Sequence, residues 1–582
     1  MYNTSLATAA EEEYDAIVVG SGITGGWAAK ELCEKGLETI VLERGNYVEH
    51  GEDYVSEHQP AHEMPYRGRG DRKLYDEEYE VQDQCYAFGE ATRHFFVNDK
   101  KHPYVQETPF SWIRGYHLGG RSIMWGRQCY RLSDLDFEAN MKDGHGVDWP
   151  IRYEDVAPWY SYVEKHVGIS GSKEGLPQLP DSEFLPPMDM NCPERAVEEK
   201  IESAYPKRDM TIGRVAVLTE QHKGRAPCHY CGPCHRGCST GSYFSSLSST
   251  LPAAAQTGNL TIACDSVVTE VLYDRDAGAS GASGGGGKGR ATGVRVVDRE
   301  TGKPREVRAK VVFLCASTLG STQILMNSNA GGHFPDGMGG QSNALGHFLM
   351  DHIYQAGAHG TVEGFDDEYY YGHRPNGIYI PRFRNLDGPA SDDLGFVRGY
   401  GYQGGASREN WTRGFRGAGL GKDLKEELRR PGTWSMGISG FGEMLPRKEN
   451  RIELSDSETD QWGMPLVHVW CEHSENDLKM KEDFMQQGAE MLEAAGLKDV
   501  GTFDGGAPPG LGIHEMGTAR MGRDPKTSVL NGWNQVHAVP NVFVTDGSCM
   551  TSSACQNPSL TYMALTARAA DYAVKQLKKR EL

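Results

Sequence analysis

Residues 14–45 read YDAIVVGSGITGGWAAKELCEKGLETIVLERG, and this stretch decides the fold. A short apolar strand, Ala16 to Val19, runs into Gly20, Gly22 and Gly25. An amphipathic segment follows, with Ala28, Ala29, Leu32 and Cys33 at helical spacing. A second apolar strand, Thr39 to Leu42, ends at Glu43. This is a βαβ unit with a G-x-G-x-x-G turn. The first glycine permits the tight turn, the second lets backbone approach a pyrophosphate, and the third lets helix and strand pack closely. The helix N-terminus then turns the positive end of its dipole toward the phosphates. Glu43 lies 23 residues after Gly20, close to the roughly 20 expected of the acid that holds a ribose hydroxyl. The glycines alone would also suit an ordinary α/β turn. Strand, helix, second strand and acid in register point to a dinucleotide site.

Composition narrows the rest. A chain of 582 residues is too long for one core of usual size, so two or more substructures are expected. With 38% hydrophobic and 24% charged residues it reads as a soluble globular protein. It has no apolar run of the roughly 18 residues that a membrane helix needs, so it is not expected to be an integral membrane protein. The formal net charge of −20 disfavours nucleic acid as a partner, because phosphate binding needs a positive surface. The first residues, MYNTSLATAAEEE, lack the basic start and apolar core of a secretory signal and carry no twin arginine. That leaves a cytoplasmic protein, or a periplasmic one exported with a partner subunit.

Along the chain, residues 152–168 read as a helix. Residues 260–274 and 291–315 carry the alternating or continuous apolar runs of strands. The intervening AGASGASGGGGKG, residues 277–289, has the composition of a mobile hairpin tip. Residues 360–440 are rich in Tyr, Gly, Arg and Trp and read as strands and long loops. Amphipathic helices are expected over 476–496 and from about Pro558 to Lys579. The layout suits an α/β, Rossmann-like nucleotide-binding domain interleaved with a sheet-rich substrate domain. Its boundaries are a first part over 14–350 with a cysteine-rich insertion at 226–241 and excursions into the substrate domain, a mainly substrate-binding part over 351–504, and a return to the nucleotide domain over 505–582.

Several ordered segments resemble the glucose–methanol–choline (GMC) family of flavoprotein oxidoreductases. They are LGGRSIMWG at 118–126, WPIRYEDVAPWY at 149–160, ASTLGSTQILMNS at 316–328, HEMGTARMG at 514–522, NVFVTDGS at 541–548 and NPSLTYMALTARAAD at 557–571. The resemblance covers nearly the whole chain and implies FAD as cofactor. It places Gly119, Gly120 and Ser122 around the flavin, and Asp546 and Gly547 near its ribityl and phosphate groups. Pro558 and Ser559 open a last helix whose N-terminus favours an electron-rich flavin. Some relatives bind flavin covalently through a histidine two residues after the serine of the glycine motif. Here that residue is Met124, so FAD is expected to be non-covalent; His117 lies before the glycines.

Oxidising an alcohol removes a hydroxyl proton and a hydride from one carbon, so the protein must supply a base and hold the C–H bond toward the flavin. Histidine titrates near working pH. The resemblance puts the catalytic histidine at His514 and its partner, His or Asn among relatives, at Asn557. An amide cannot take the proton but can orient the substrate oxygen.

Residues 226–241 read APCHYCGPCHRGCSTG. Cys228, Cys231, Cys234 and Cys238 follow the spacing C-x2-C-x2-C-x3-C. Thiolates so spaced can wrap an iron–sulfur cluster, and some sugar dehydrogenases of the resembled family carry one in such an insertion. The fourth cysteine is followed by Ser239 rather than the proline of bacterial ferredoxins. Structural zinc and a loop of reduced thiols are the other readings.

For substrate, Tyr369, Tyr370, Tyr371, Tyr379, Trp411 and Trp434 are candidate rings for stacking on a sugar. GEMLPRKENRIELS at 442–455 resembles bacterial sugar dehydrogenases, those oxidising carbon 3 of glucosides above all. The expected activity is oxidation of a sugar or glycoside secondary hydroxyl. Electrons would pass to an external acceptor such as a cytochrome, with a small escort subunit as a further partner. An enzyme for a non-sugar alcohol, and a non-catalytic flavin-binding subunit, are the alternatives.

Overall fold

The computed structural model describes residues 3–276, 289–368, 372–388, 390–410, 413–414 and 419–582. The glycine-rich tip up to Lys288 lies outside the described residues, as do Tyr369, Tyr370, Tyr371 and Trp411.

The βαβ unit forms as its pattern requires. The first strand, Glu13–Val19, pairs in parallel with Thr39–Leu42 on one side and Pro304–Leu314 on the other. Leu260–Ala263 extends the sheet beyond Thr39–Leu42, and Val539–Val544 extends it beyond Pro304–Leu314. The last strand of this eight-stranded sheet thus comes from the far end of the sequence. Strand alternation covers both faces. Ile17, Val19, Val312 and Leu314 enter one apolar core, and Ala16, Val18, Val311 and Phe313 enter the other. Burial on both sides is what a parallel sheet demands, and it explains why these strands read as continuous apolar runs. The antiparallel strands Ser266–Asp274 and Arg290–Asp298 hang from Pro304–Leu314.

The glycine turn is held by contact rather than by flexibility alone. Gly20 has φ of 92°. A Cβ on Gly25 would lie 1.9 Å from the Gly20 carbonyl oxygen, so strand end and helix Ile23–Glu34 touch through bare backbone. A Cβ on Gly22 would meet nothing within 4 Å. The C-terminal helix Ser559–Lys579 lies against this first helix.

A second, seven-stranded sheet runs in the order Lys498–Asp504, Ala356–Val362, Trp434–Glu443, Tyr400–Arg408, Ile378–Ile380, Thr211–Ile212. His352–Ile353 pairs with the Gly442–Glu443 end of its central strand. The helix Glu475–Ala494 covers one face, burying Met480, Phe484 and Met491 against Ala358, Ile438 and Tyr402. Gly440 permits that approach, since its Cβ would fall 2.5 Å from the Phe484 ring. A three-stranded sheet of Arg451–Thr459, Pro465–Trp470 and Val105–Gln106 stands apart from both.

The helices Tyr153–Val167, Glu475–Ala494 and Ser559–Lys579 lie where helical spacing places them. Gly421–Arg429 is a helix inside the stretch read as strands and loops. It fully buries no residue, and only Leu424 and Leu428 are half-buried on an otherwise charged helix, too short an apolar stripe to mark a core-facing helix by spacing alone. Two aromatic expectations are corrected here. Tyr379 is buried and stacked on Tyr130 at 3.8 Å, and Trp434 is buried in the core of the second sheet.

The two glycines make opposite predictions. Gly25→Ala is expected to destabilise the ligand-free protein by about 1–3 kcal/mol through overpacking, and Gly22→Ala to leave it unchanged. Thermal melting checks this; equal midpoints for the two variants would contradict the contact.

Candidate active site

One cavity of about 420 Å³ opens beyond the ends of the parallel strands. The glycine unit brings Gly20, Gly22 and Glu43 to its wall. The second glycine motif brings Gly120, Ser122 and Met124, and the C-terminal segments bring His514, Asp546, Gly547, Asn557 and Ser559. Gly25, Gly119 and Pro558 stand behind the wall. Gly119 donates its N–H to Ser21 Oγ at 2.9 Å, and Pro558 caps the last helix. Three helices begin at this cavity: Ile23–Glu34, Thr318–Asn327 and Ser559–Lys579. Their N-terminal dipole ends favour anionic groups there, although the chain as a whole is acidic.

The polar groups at the glycine end are fixed in advance. The buried Glu43 carboxylate accepts from Ser21 N–H at 3.1 Å, Ser21 Oγ at 2.5 Å and Gly45 N–H at 2.9 Å. Burial raises its pKa and these donors oppose the shift. Asp546 is held likewise, accepting from Ser548 N–H, Ser548 Oγ and Ser321 Oγ. Ser122 Oγ donates to Gly119 O and meets Ser246 Oγ, and Ser246 Oγ donates to Ser21 O, so Ser246 ties the second glycine turn to the first. Nearby, the Arg44 guanidinium lies over the Tyr116 ring at 4.1 Å.

At the other end His514 is gripped from several sides. The buried Asp351 carboxylate accepts the backbone N–H groups of Gly510, Gly512 and His514 at 2.7, 2.8 and 3.0 Å. His352 Nδ1 lies 2.8 Å from His514 Nδ1, and His352 Nε2 lies 2.8 Å from the Ala554 carbonyl. Asn557 Nδ2 lies 3.4 Å from His514 Nε2, while Asn557 Oδ1 accepts from Gln403 Nε2 at 2.5 Å. Next in sequence, Glu515 forms a two-point ion pair with Arg121 at 3.2 and 2.9 Å. Burial pushes the His514 pKa well below its usual 6.5, and the neighbouring His352 and Arg121 disfavour its charged form further. The rings of Tyr354 and Phe441 complete this end. Asp351, His352, Gln403, Tyr354 and Phe441 carry no motif spacing. Only the fold assembles them.

Residues 14–354 and 446–566 match the N-terminal and C-terminal domain families described as GMC oxidoreductase. The chain belongs to the GMC oxidoreductase family. It is 28% identical to a 2-methyl-1,2-propanediol dehydrogenase of Mycolicibacterium austroafricanum, over 97% of this chain and 96% of that one. It is 25% identical to a paromamine 6'-oxidase of Streptomyces fradiae, over 97% and 92%. With the fructose dehydrogenase large subunit of Gluconobacter japonicus it shares 24%, over 97% and 98%. The crystal structure of a pyridoxine 4-oxidase from Mesorbium loti has the same fold, with a TM-score of 0.56 and 17% identity over 96% of this chain and 98% of that one.

GMC oxidoreductases bind FAD, and the cavity suits it. Gly22 and Gly120 offer bare backbone, Glu43 offers an ordered carboxylate, and three helix N-termini offer a positive field. The buried Tyr562 hydroxyl at the cavity wall has no hydrogen-bond partner among the described residues.

The cysteine insertion does not support the iron–sulfur expectation. Cys228, Cys231, Cys234 and Cys238 line a separate pocket of about 20 Å³. Among the described residues no three His, Cys, Asp or Glu side chains gather closely enough to hold a metal ion. The Cys228 sulfur accepts from Tyr230 N–H, and Cys238 Sγ lies 3.4 and 3.3 Å from the Thr240 and Ser242 hydroxyls. Burial pushes the Cys228 thiol up to about 11 and raises Cys231 and Cys234. Of the three sequence readings, reduced thiols fit these contacts.

Asp351→Asn replaces one acceptor oxygen by an N–H donor that faces backbone donors. It is expected to cost about 1–3 kcal/mol and to speed amide exchange at Gly510, Gly512 and His514. Unchanged exchange at those amides would show that the carboxylate does not hold the loop.

Proposed function

We propose that this chain oxidises a secondary hydroxyl of a sugar or glycoside to a ketone, with carbon 3 of glucosides as the favoured position. His514 is the general base and Asn557 the group that orients the substrate oxygen. The observation that carries the reading is the convergence of His514 Nε2 and Asn557 Nδ2, 3.4 Å apart, on one cavity wall. A hydroxyl seated there can receive a hydrogen bond from the Asn557 amide and give its proton to His514 Nε2. As the proton leaves, the O–H electron pair becomes the second C–O bond and the C–H pair departs as hydride. Bound FAD supplies the acceptor for that hydride. The depressed pKa of His514 keeps the imidazole neutral, as a base must be. Gln403 fixes the Asn557 amide with its oxygen turned away from His514.

The residues around the isoalloxazine end favour non-covalent FAD. Met124 lines the cavity where a linking histidine would stand, and His117 does not line it. The proposed division is a nucleotide domain over 14–350 and 505–582, with excursions into the substrate domain, and a mainly substrate-binding part over 351–504. The two large sheets support it, with Thr211–Ile212 as such an excursion, while Val105–Gln106 and residues 451–470 lie in a third sheet. The aromatic role expected of Tyr379 and Trp434 passes to Tyr354 and Phe441, whose rings line the cavity. Gln403, Gln128 and Arg127 are the polar groups available to hydroxyls.

The likeness to a fructose dehydrogenase large subunit favours partner subunits; a cytochrome as electron acceptor and a small escort subunit are the partners proposed here. Among the described residues no helix is long and apolar enough to cross a membrane. A second reading, a non-sugar alcohol as substrate, has the 2-methyl-1,2-propanediol dehydrogenase in its favour.

A panel of glycosides, free sugars and aliphatic diols, with dye and oxygen as acceptors and product analysis by NMR, separates the two. A 3-keto glycoside is the expected product; turnover of diols alone would favour the second reading. His514→Ala is expected to slow flavin reduction by at least ~10²-fold while flavin stays bound, and an unchanged rate would reject the base. Because the pKa of His514 is lowered, its basic form persists above the usual value of 6.5 and is lost only at more acid pH. The reduction rate is therefore expected to stay level above neutrality and to fall only below that value. A midpoint above 7 would contradict the environment described.

A further inference from the structure

The Nδ1 atoms of His352 and His514 lie 2.8 Å apart, so one proton sits between them. Which ring owns it follows from the other end of His352. There Nε2 faces the Ala554 carbonyl at 2.8 Å, and a carbonyl only accepts, so Nε2 carries a hydrogen. A neutral imidazole has one N–H, which leaves His352 Nδ1 bare. The shared proton then belongs to His514 Nδ1, and the bare nitrogen of His514 is Nε2, the one beside Asn557 and the cavity. The hydrogen bond made by one ring nitrogen thus fixes the state of the other.

We propose that His352 is a positioning residue that holds His514 in the Nδ1–H tautomer and so turns its lone pair toward the substrate. This deepens the base assignment and rests on it. The arrangement has mechanical support on both sides. His352 begins the short strand that pairs with Gly442–Glu443 of the second sheet, so its ring is anchored from the opposite lobe. The two rings meet edge to face, with centroids 4.9 Å apart, and Phe441 lies 6.2 Å from each. The preceding residue, Asp351, ties down the His514 backbone. A doubly protonated His352 would reverse the sense of the bond. Burial lowers its pKa to about 4, so the neutral ring prevails at working pH. The other charged groups near the pair are Asp351, Arg121 and Glu515. The last two are paired with each other, and Asp351 faces backbone N–H groups. When His514 Nε2 takes the hydroxyl proton, the Nδ1–H bond to His352 becomes charge-assisted, so the same contact steadies the imidazolium.

Two measurements test this. In ¹⁵N-histidine-labelled protein, with the His514 signals identified from His514→Ala, Nε2 should resonate as a bare nitrogen and Nδ1 as a protonated one. In His352→Phe, which keeps a ring but offers no acceptor, that preference should be lost. The limiting rate of anaerobic flavin reduction should fall about 10²-fold with flavin content unchanged. His352→Asn places an amide oxygen where Nδ1 stood and should recover about 10-fold of the loss. A protonated Nε2 in the unaltered enzyme would overturn the proposal. So would a His352→Phe enzyme that reduces flavin at the normal rate, or Phe and Asn variants equally slow with the tautomer unchanged. Failure of the underlying base assignment is distinct, because it appears as retained reduction in His514→Ala.

Discussion

A single buried carboxylate sets the geometry on which the site depends. Asp351 collects three backbone N–H groups from the loop 510–514, each a donor that burial would otherwise leave unpaired. The loop is thereby drawn against the start of the second sheet, and His514 is presented at one fixed height in the cavity. The adjacent His352 then fixes the ring. Two consecutive residues thus impose both the position and the chemistry of a third, 162 residues further along the chain.

The two ends of the cavity are built by different physics. The glycine end is made of absences. Gly25 lets backbone touch backbone, and Gly22 leaves open space where a side chain would stand. Three helix N-termini add positive potential to that of the Arg44 guanidinium. The alcohol end is made of loop and turn side chains, each held by a partner: Asn557 by Gln403 and His514 by His352, both from strands of the second sheet, and Arg121 by Glu515. Pre-set orientation of this kind is where positioning lowers a barrier, since little reorganisation remains for the reacting complex.

The glycine end was legible in the sequence because its signals are local. G-x-G-x-x-G, the flanking apolar strands and Glu43 lie within one short segment, and strand alternation at Ala16–Val19 forecasts burial on both faces. His514 and Asn557 were legible through resemblance rather than through periodicity. His352 and Gln403 were not. Each is an unremarkable polar residue in a strand, and its meaning arises only when the second sheet closes over the first. The aromatic residues show the same limit. Tyr379 and Trp434 satisfy the composition of a sugar platform, yet packing sends both into the interior. The cysteine spacing was suggestive in one dimension, but among the described residues no metal-binding group forms, and two of the four sulfurs, Cys228 and Cys238, meet neighbouring backbone and hydroxyls.

The proposed reaction requires this cavity to bring a flavin and an alcohol carbon together beside a basic imidazole. The most direct test is the absorbance spectrum of the purified protein under anaerobic conditions, before and after addition of excess alkyl glucoside. The expected spectrum has the bands of oxidised flavin, retained through gel filtration and bleached on mixing. A colourless protein that takes up no FAD on reconstitution would contradict it, as would flavin bands that no glycoside or alcohol bleaches.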